Sequence, residues 1–180
     1  MQRLETNRLV LRGLELRDLE DFYHYARKPE IGPRAGWKPH ESIGESLMIL
    51  ARMIRNDDVW AITIKGEDRL IGTIGLHQRD QRNEKVREIG YVLDDTYWNR
   101  GIVTEAVRRV IAHAFQDLGL ERVRCGHHPD NGASRRVIEK CGFVHTHDEI
   151  RKRSDGREET IVMYEIRGEE DVRTTHEIRR

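Results

Sequence analysis

Two hydrophobic periods alternate along this chain. Leu9, Val10, Leu11 and Leu14, set between arginines, predict a first strand over Arg8–Arg12. Asp18–Ala26 places Leu19, Phe22, Tyr23 and Ala26 on one helical face. Lys28–His40 holds Pro29, Gly32, Pro33, Gly36 and Pro39, so a loop follows. Ser42 reads as the cap of a second helix, with Glu45 at the capping-box position and Leu47, Leu50, Ala51 and Ile54 as its apolar stripe. Trp60–Lys65 and Arg69–Leu76, around Gly66-Glu67-Asp68, read as a β-hairpin, and Arg79–Lys85 as a solvated connector.

The second half repeats strand and helix. Ile89–Leu93 is short and rich in strand formers. After Gly101, residues Val103, Ala106, Val107, Val110, Ala114, Phe115 and Leu118 fall on one helical face; Glu105, Arg108, Arg109, His113 and Gln116 take the other, and Gly119 stands at the C-terminal cap. Arg122–His127 is a strand. Asn131 caps a helix running through Cys141, with Ala133, Val137 and Cys141 facing inward. Phe143–Ile150 and Thr160–Ile166 form a hairpin around Ser154-Asp155-Gly156. Residues 168–180 are charged and aperiodic, a tail expected to fray. The order β-α-α-β-β-β-α-β-α-β-β predicts one α+β domain over residues 1–167, a mixed sheet with helices on both faces.

Chemistry concentrates where a strand feeds a helix, from Glu88 to Leu118. A helix begins with unpaired N–H groups and partial positive charge, so such a junction suits an anion, here a phosphate or pyrophosphate. The single Gly101 falls short of a Gly-x-Gly-x-x-Gly signature, and no Gly-Lys-Ser/Thr follows, so on spacing alone an ordinary βα turn remains open.

Composition narrows the classes. The 180 residues carry 32 Lys+Arg and 32 Asp+Glu, so net charge gives no reason to expect a nucleic-acid or membrane partner. Apolar residues make up 37% and no run approaches a membrane span. The N-terminal residues do not read as a signal peptide, and Cys125 and Cys141 form no Cys-x-x-Cys pair. A cytoplasmic protein with reduced thiols is expected. His145 and His147 on one strand would share a face, but no third ligand pattern accompanies them, so no metal is expected.

Three segments resemble the GNAT superfamily of acyl-CoA-dependent N-acyltransferases, and within it the RimJ/RimL-type branch, which acetylates protein N-termini and has small-amine relatives. They are Thr6-Asn-Arg-Leu-Val-Leu-Arg12, Glu88–Ala106, and Asn131-Gly-Ala-Ser-Arg-Arg-Val-Ile-Glu-Lys-Cys-Gly-Phe143. The resemblance implies a mostly antiparallel central sheet flanked by helices, acetyl-CoA as co-substrate, and a homodimer. Gly101 matches the superfamily loop Gln/Arg-x-x-Gly-x-Gly/Ala, whereas Trp98 and Val103 depart from it. The family's pyrophosphate site falls on the backbone of Arg100, Gly101, Ile102, Val103 and Thr104, with the Arg100 side chain adding charge. Main-chain groups around Tyr91, Val92 and Leu93 would pair with the pantetheine arm, and Asn131 and Ser134 match positions near the reactive end of coenzyme A.

Acyl transfer to an amine requires a neutral nucleophile, a donor for the oxyanion and a proton, or its equivalent, for the leaving thiolate. Deprotonating an α-amine of pKa about 7.7–8.0 at pH 7 costs only about 1 kcal/mol, against roughly 4–5 kcal/mol for a lysine. Glu88 matches the position of a catalytic glutamate in several superfamily members; the competing reading is a rim carboxylate paired with Arg87 or Arg79. Glu149 is the second carboxylate, or else an exposed strand residue. The amide of Val92 or Leu93 is the implied oxyanion donor. Many relatives place a tyrosine after the Asn-x-x-Ser start to serve the thiolate; Ile138 stands there, leaving Ser134 as the candidate, unless it bonds back to its own helix. Trp37 either anchors the loop or walls the acceptor site. The leading expectation is an N-acetyltransferase acting on a protein N-terminus or small amine by direct attack in a ternary complex. A non-catalytic acyl-CoA-binding module and a longer donor such as succinyl-CoA are the alternatives.

Overall fold

The computed structural model describes residues 1–152 and 156–168. In chain order the elements are β1 (Leu4–Glu5), β2 (Leu9–Gly13), α1 (Leu19–Ala26), α2 (Ile43–Asn56), β3 (Val59–Ile64), β4 (Gly72–His77), β5 (Val86–Leu93), α3 (Ile102–Gln116), β6 (Arg122–His127), α4 (Gly132–Lys140), β7 (Val144–Lys152) and β8 (Glu158–Arg167). The expected elements are present, with a short β1 added ahead of them. Ser154 and Asp155 of the expected turn lie outside the described residues, as does the expected tail beyond Gly168. Among the described residues no helix is long and apolar enough to cross a membrane.

One sheet runs in the order β1-β2-β3-β4-β5-β6-β8-β7. Every neighbouring pair is antiparallel except β5 with β6. One face packs Leu11, Trp60, Ile62, Ile74 and Leu93 against Ala106, Val107 and Val110 of α3 and Ile138 of α4. The other packs Val59 and Ala61 beneath Phe22 and Tyr25 of α1 and Leu50 of α2. Helices therefore cover both faces, as a two-sided apolar sheet requires.

The parallel pairing of β5 with β6 is short. It runs from Val86↔Arg122 to Ile89↔Cys125 and stops. Beyond it β5 stays paired to β4 through Leu93, while Gly126 and His127 of β6 continue against β8. The two strands part, and one edge of Gly90–Leu93 has no strand beside it.

Four expectations need correction. His113, assigned to the polar face of α3, is buried. Its Nδ1 pairs with Asp117 at 2.7 Å and its ring meets Trp60 edge-on at 5.7 Å, which satisfies a polar ring inside an apolar layer. Leu118, assigned to the apolar face, is exposed because α3 ends at Gln116. Ala133 does not enter the core but is exposed, and Ile138 of the same helix is buried instead. At His145 and His147 the pairing with β8 slips by one residue, His145 opposing Tyr164 and His147 opposing Met163. This bulge breaks the strict alternation that would have put both rings on one face.

The entry to α1 is fixed by a buried ion pair. Arg12 on β2 donates to Asp18 at 2.6 and 2.9 Å and to Asp68 at 2.8 Å, while Asp18 also accepts from the Glu15 amide at 2.8 Å. Removing one partner strands the other charge away from water. Arg12→Met is expected to destabilise the protein by about 3–5 kcal/mol, read as a fall in Tm of roughly 6–20 °C by calorimetry. A fall under about 2 °C would show that the pair contributes nothing net.

Candidate active site

The parting of β5 from β6 makes a notch, and the chain arranges donors around it. Along β5 the main-chain groups alternate sides. The Asp94 amide donates to Ile71 on the β4 side at 2.9 Å, so the Val92 amide points the same way, and those of Tyr91 and Leu93 point into the notch. The Leu93 carbonyl accepts from the Trp98 indole at 2.9 Å. Trp98 thus has a structural reason to depart from the superfamily pattern: its indole N–H closes the end of the strand, and the Arg34 guanidinium lies over its ring at 5.3 Å. The notch is left with the amide and carbonyl of Tyr91 and the amide of Leu93 to offer a ligand.

Below the notch α3 begins with an exposed ring of donors. Ser42 caps α2 and Asn131 caps α4 with side-chain oxygens, but Gly101, the N-cap of α3, has no side chain to do so. Ile102, Val103 and Thr104 have no helical carbonyl behind them, so their amides are open to an anion. The loop reaches this arrangement through two left-handed residues, Asn99 at φ 60° and Gly101 at φ 73°, which turn successive amides to one side. Arg8 braces the loop by donating to the Arg100 carbonyl at 3.0 Å and pairing with Glu105 at 2.7 Å. The Arg100 guanidinium lies 5.4 Å over the Tyr97 ring. Lys28 pins the loop from the other side through Asp94 and Asp95, at 2.9 and 2.6 Å. Burial would raise the Asp94 pKa, but its bonds from Lys28 and Thr96 outweigh that and hold the carboxyl at about 2.

The notch and the start of α3 line a cavity of about 470 Å³. Every residue the sequence assigned to the donor lies on its wall: Tyr91, Val92, Leu93, Arg100, Gly101, Ile102, Val103, Thr104, Asn131 and Ser134. Ala133 and Val137 line it too, which explains the exposure of Ala133. A second cavity, of about 980 Å³, opens on the α1–α2 side and is lined by Trp37, His40, Glu88, His127 and Arg151 among others. The two share Arg34, Ala35, Tyr91, Val92, Asn131 and Ser134. They meet where the strands part.

Glu88 stands on the second cavity's wall, and its carboxylate accepts from Arg151 through both oxygens, at 2.7 and 2.8 Å, with Arg79 3.8 Å away. Arg151, 63 residues distant, is a partner that sequence reasoning missed, since nothing local in the chain signals it. Each Glu88 oxygen still has a second lone-pair direction for a water. Glu149 lines neither cavity; it pairs with Arg151 and with His147. Burial raises its pKa, but Arg151 outweighs burial and keeps it below the usual range. Trp37 packs within its loop, wedged against the Gly32 backbone where an added Cβ would lie 2.7 Å from its ring, and it lines the second cavity. Ser134 is not turned back on its helix: its Oγ meets the Tyr91 hydroxyl at 2.7 Å. Tyr91 shares the helix-facing side of β5 with Ile89 and Leu93, a parity readable from the sequence, although the contact with Ser134 is not. Among the described residues no group of three His, Cys, Asp or Glu side chains is placed to hold a metal.

Residues 8–144 match the family described as an acetyltransferase (GNAT) domain. The chain is 31% identical over 145 residues to the uncharacterized N-acetyltransferase YoaA of Bacillus subtilis (strain 168), spanning 78% of this chain and 81% of that protein. Over 78 residues it is 36% identical to the ribosomal-protein-serine acetyltransferase of Escherichia coli (strain K12), 43% of each. Among solved structures it shares its fold with the microcin C7 self-immunity acetyltransferase MccE, in complex with acetyl-CoA and AMP, at a TM-score of 0.75 and 19% identity, over 90% of this chain and 93% of that one. The family match takes in the parted strands, the open start of α3 and the Asn131-capped helix, and by it the chain belongs to the GNAT acetyltransferases.

Proposed function

We propose that this acetyltransferase moves the acetyl group of acetyl-CoA onto a primary amine, above all the α-amine of a protein N-terminus, by direct attack with both substrates bound. The observation that carries the reading is the meeting of two cavities at Tyr91, Val92, Asn131 and Ser134. A thioester at that junction faces an amine entering from the second cavity with no covalent relay between them. The donor half suits coenzyme A: open amides at the start of α3 for a pyrophosphate, and the Tyr91 main-chain groups for an amide-bearing arm. MccE holds acetyl-CoA on the same fold, and the E. coli relative bears ribosomal-protein-serine in its name.

The roles follow from position. The Leu93 amide, aimed into the notch, stabilises the oxyanion. Glu88 takes the amine's proton through a water on its free lone pairs, and Arg151 fixes its orientation. Ser134 gives its O–H to the departing sulfur as a hydrogen bond. Trp37 walls the acceptor. A carboxylate acting through water suits a weakly basic amine: at pH 7 an α-amine has a neutral fraction about 10²–10³ times that of a lysine.

Incubation with acetyl-CoA and an amine panel, following free thiol, tests this reading. Peptides with a free α-amine are expected to turn over well ahead of Nα-blocked lysine peptides; coenzyme A binding without thiol release across the panel would make the protein a binding module. Glu88→Gln is expected to lower kcat roughly 10²-fold; an unchanged kcat removes Glu88 from the mechanism. Ser134→Ala is expected to lower kcat roughly 10-fold with little change in the KM for acetyl-CoA, and full activity rules Ser134 out.

A further inference from the structure

The superfamily tyrosine expected to serve the leaving thiolate is missing from α4, where Ile138 stands buried in the core. A different tyrosine reaches the same place from the sheet. Tyr91 lies in the unpaired edge of β5, and its ring runs beneath α4 so that its hydroxyl meets the Ser134 Oγ at 2.7 Å, where either oxygen can donate, more closely than the Ser134 carbonyl at 3.3 Å. Both residues line both cavities. Of the six residues shared between the cavities, only these two carry a hydroxyl. The other polar side chains there are engaged: Asn131 accepts from the Ser134 amide at 3.1 Å and donates to the Arg34 carbonyl at 3.2 Å, and the Arg34 guanidinium lies on Trp98.

We propose that Tyr91 is a positioning residue for acetyl transfer, its phenol donating to Ser134 Oγ so that the serine's own hydrogen turns toward the leaving sulfur. The inference rests on the reading of Ser134 given above. A serine hydroxyl rotates freely and has one hydrogen. Left alone beside a carbonyl it donates there, and its hydrogen is lost to the sulfur. A phenol that donates to Oγ fills the acceptor side and leaves the hydrogen outward. Each hydrogen bond also polarises the next, so the pair is a stronger donor than the serine alone. Burial pushes the Tyr91 phenol well above its ordinary pKa, which keeps its proton in place at any working pH. No proton leaves either residue. The amine nitrogen bonds to the acetyl carbon and the carbonyl electron pair moves to oxygen; as the oxyanion collapses the carbon–sulfur bond breaks and its electron pair goes to sulfur, the amine's proton passes through the bound water to Glu88, and the thiolate departs hydrogen-bonded to Ser134, to be protonated by solvent.

A double-mutant cycle on the full chain tests this, with kcat and the KM for acetyl-CoA measured for wild type, Y91F, S134A and Y91F/S134A. Y91F is expected to lower kcat roughly 3–10-fold with KM and Tm nearly unchanged, and to add less than about 2-fold once Ser134 is alanine. The proposal is overturned if Y91F leaves kcat intact, if it costs the same in both backgrounds, or if its effect lies in KM. Loss of kcat in S134A with none in Y91F sinks the role of Tyr91 alone; full activity in S134A sinks the reading of Ser134 as well.

Discussion

The site depends on a shortage of hydrogen bonds. A parallel strand pair normally satisfies every main-chain group along its length, yet β5 and β6 stay together only from Val86 to Ile89. The reason lies in their other partners. β5 follows β4 up to Leu93, and β6 follows β8 through His127, so the two halves of one sheet twist away from each other. Unpaired main chain is costly when buried, and here it opens into a cavity. The sheet that forms the core thus has a gap as part of its own topology.

Around that gap the chain withholds caps where ligand groups belong and supplies them elsewhere. Ser42 and Asn131 close the starts of α2 and α4; Gly101 leaves α3 open. The open end is held rigid by charges outside the cavity, Arg8 with Glu105 and Lys28 with Asp94 and Asp95, rather than by groups within it. Rigid donors with no protein partner suit an anion better than flexible lysines would, because little ordering remains to be done on binding. The same division holds across the junction, where Arg151 fixes Glu88 and Tyr91 meets Ser134.

Much of this was legible in the sequence, because the periods of two and 3.6 mark the elements and Gly101 marks the loop. Arg100–Thr104, Asn131 and Ser134 were singled out from two local segments, a helix start and a capped helix that resemble the family's, and they line one cavity. What escaped is non-local or conformational. The pairing of Glu88 with Arg151 joins strands far apart in the chain. The burial of His113 turns on Trp60, and the slip at Thr146 turns on how β7 meets β8. Ala133 was read as core because an apolar residue at helical spacing looks the same whether it faces protein or a ligand cavity.

The measurement that bears most directly on this account is a crystal structure with coenzyme A. The account predicts the pyrophosphate against the amides of Ile102–Thr104, the pantetheine arm paired with Tyr91 between the parted strands, and the sulfur within hydrogen-bonding distance of Ser134 Oγ, facing the cavity that holds Glu88. A coenzyme bound away from the notch, or with its sulfur closed off from that second cavity, would contradict it.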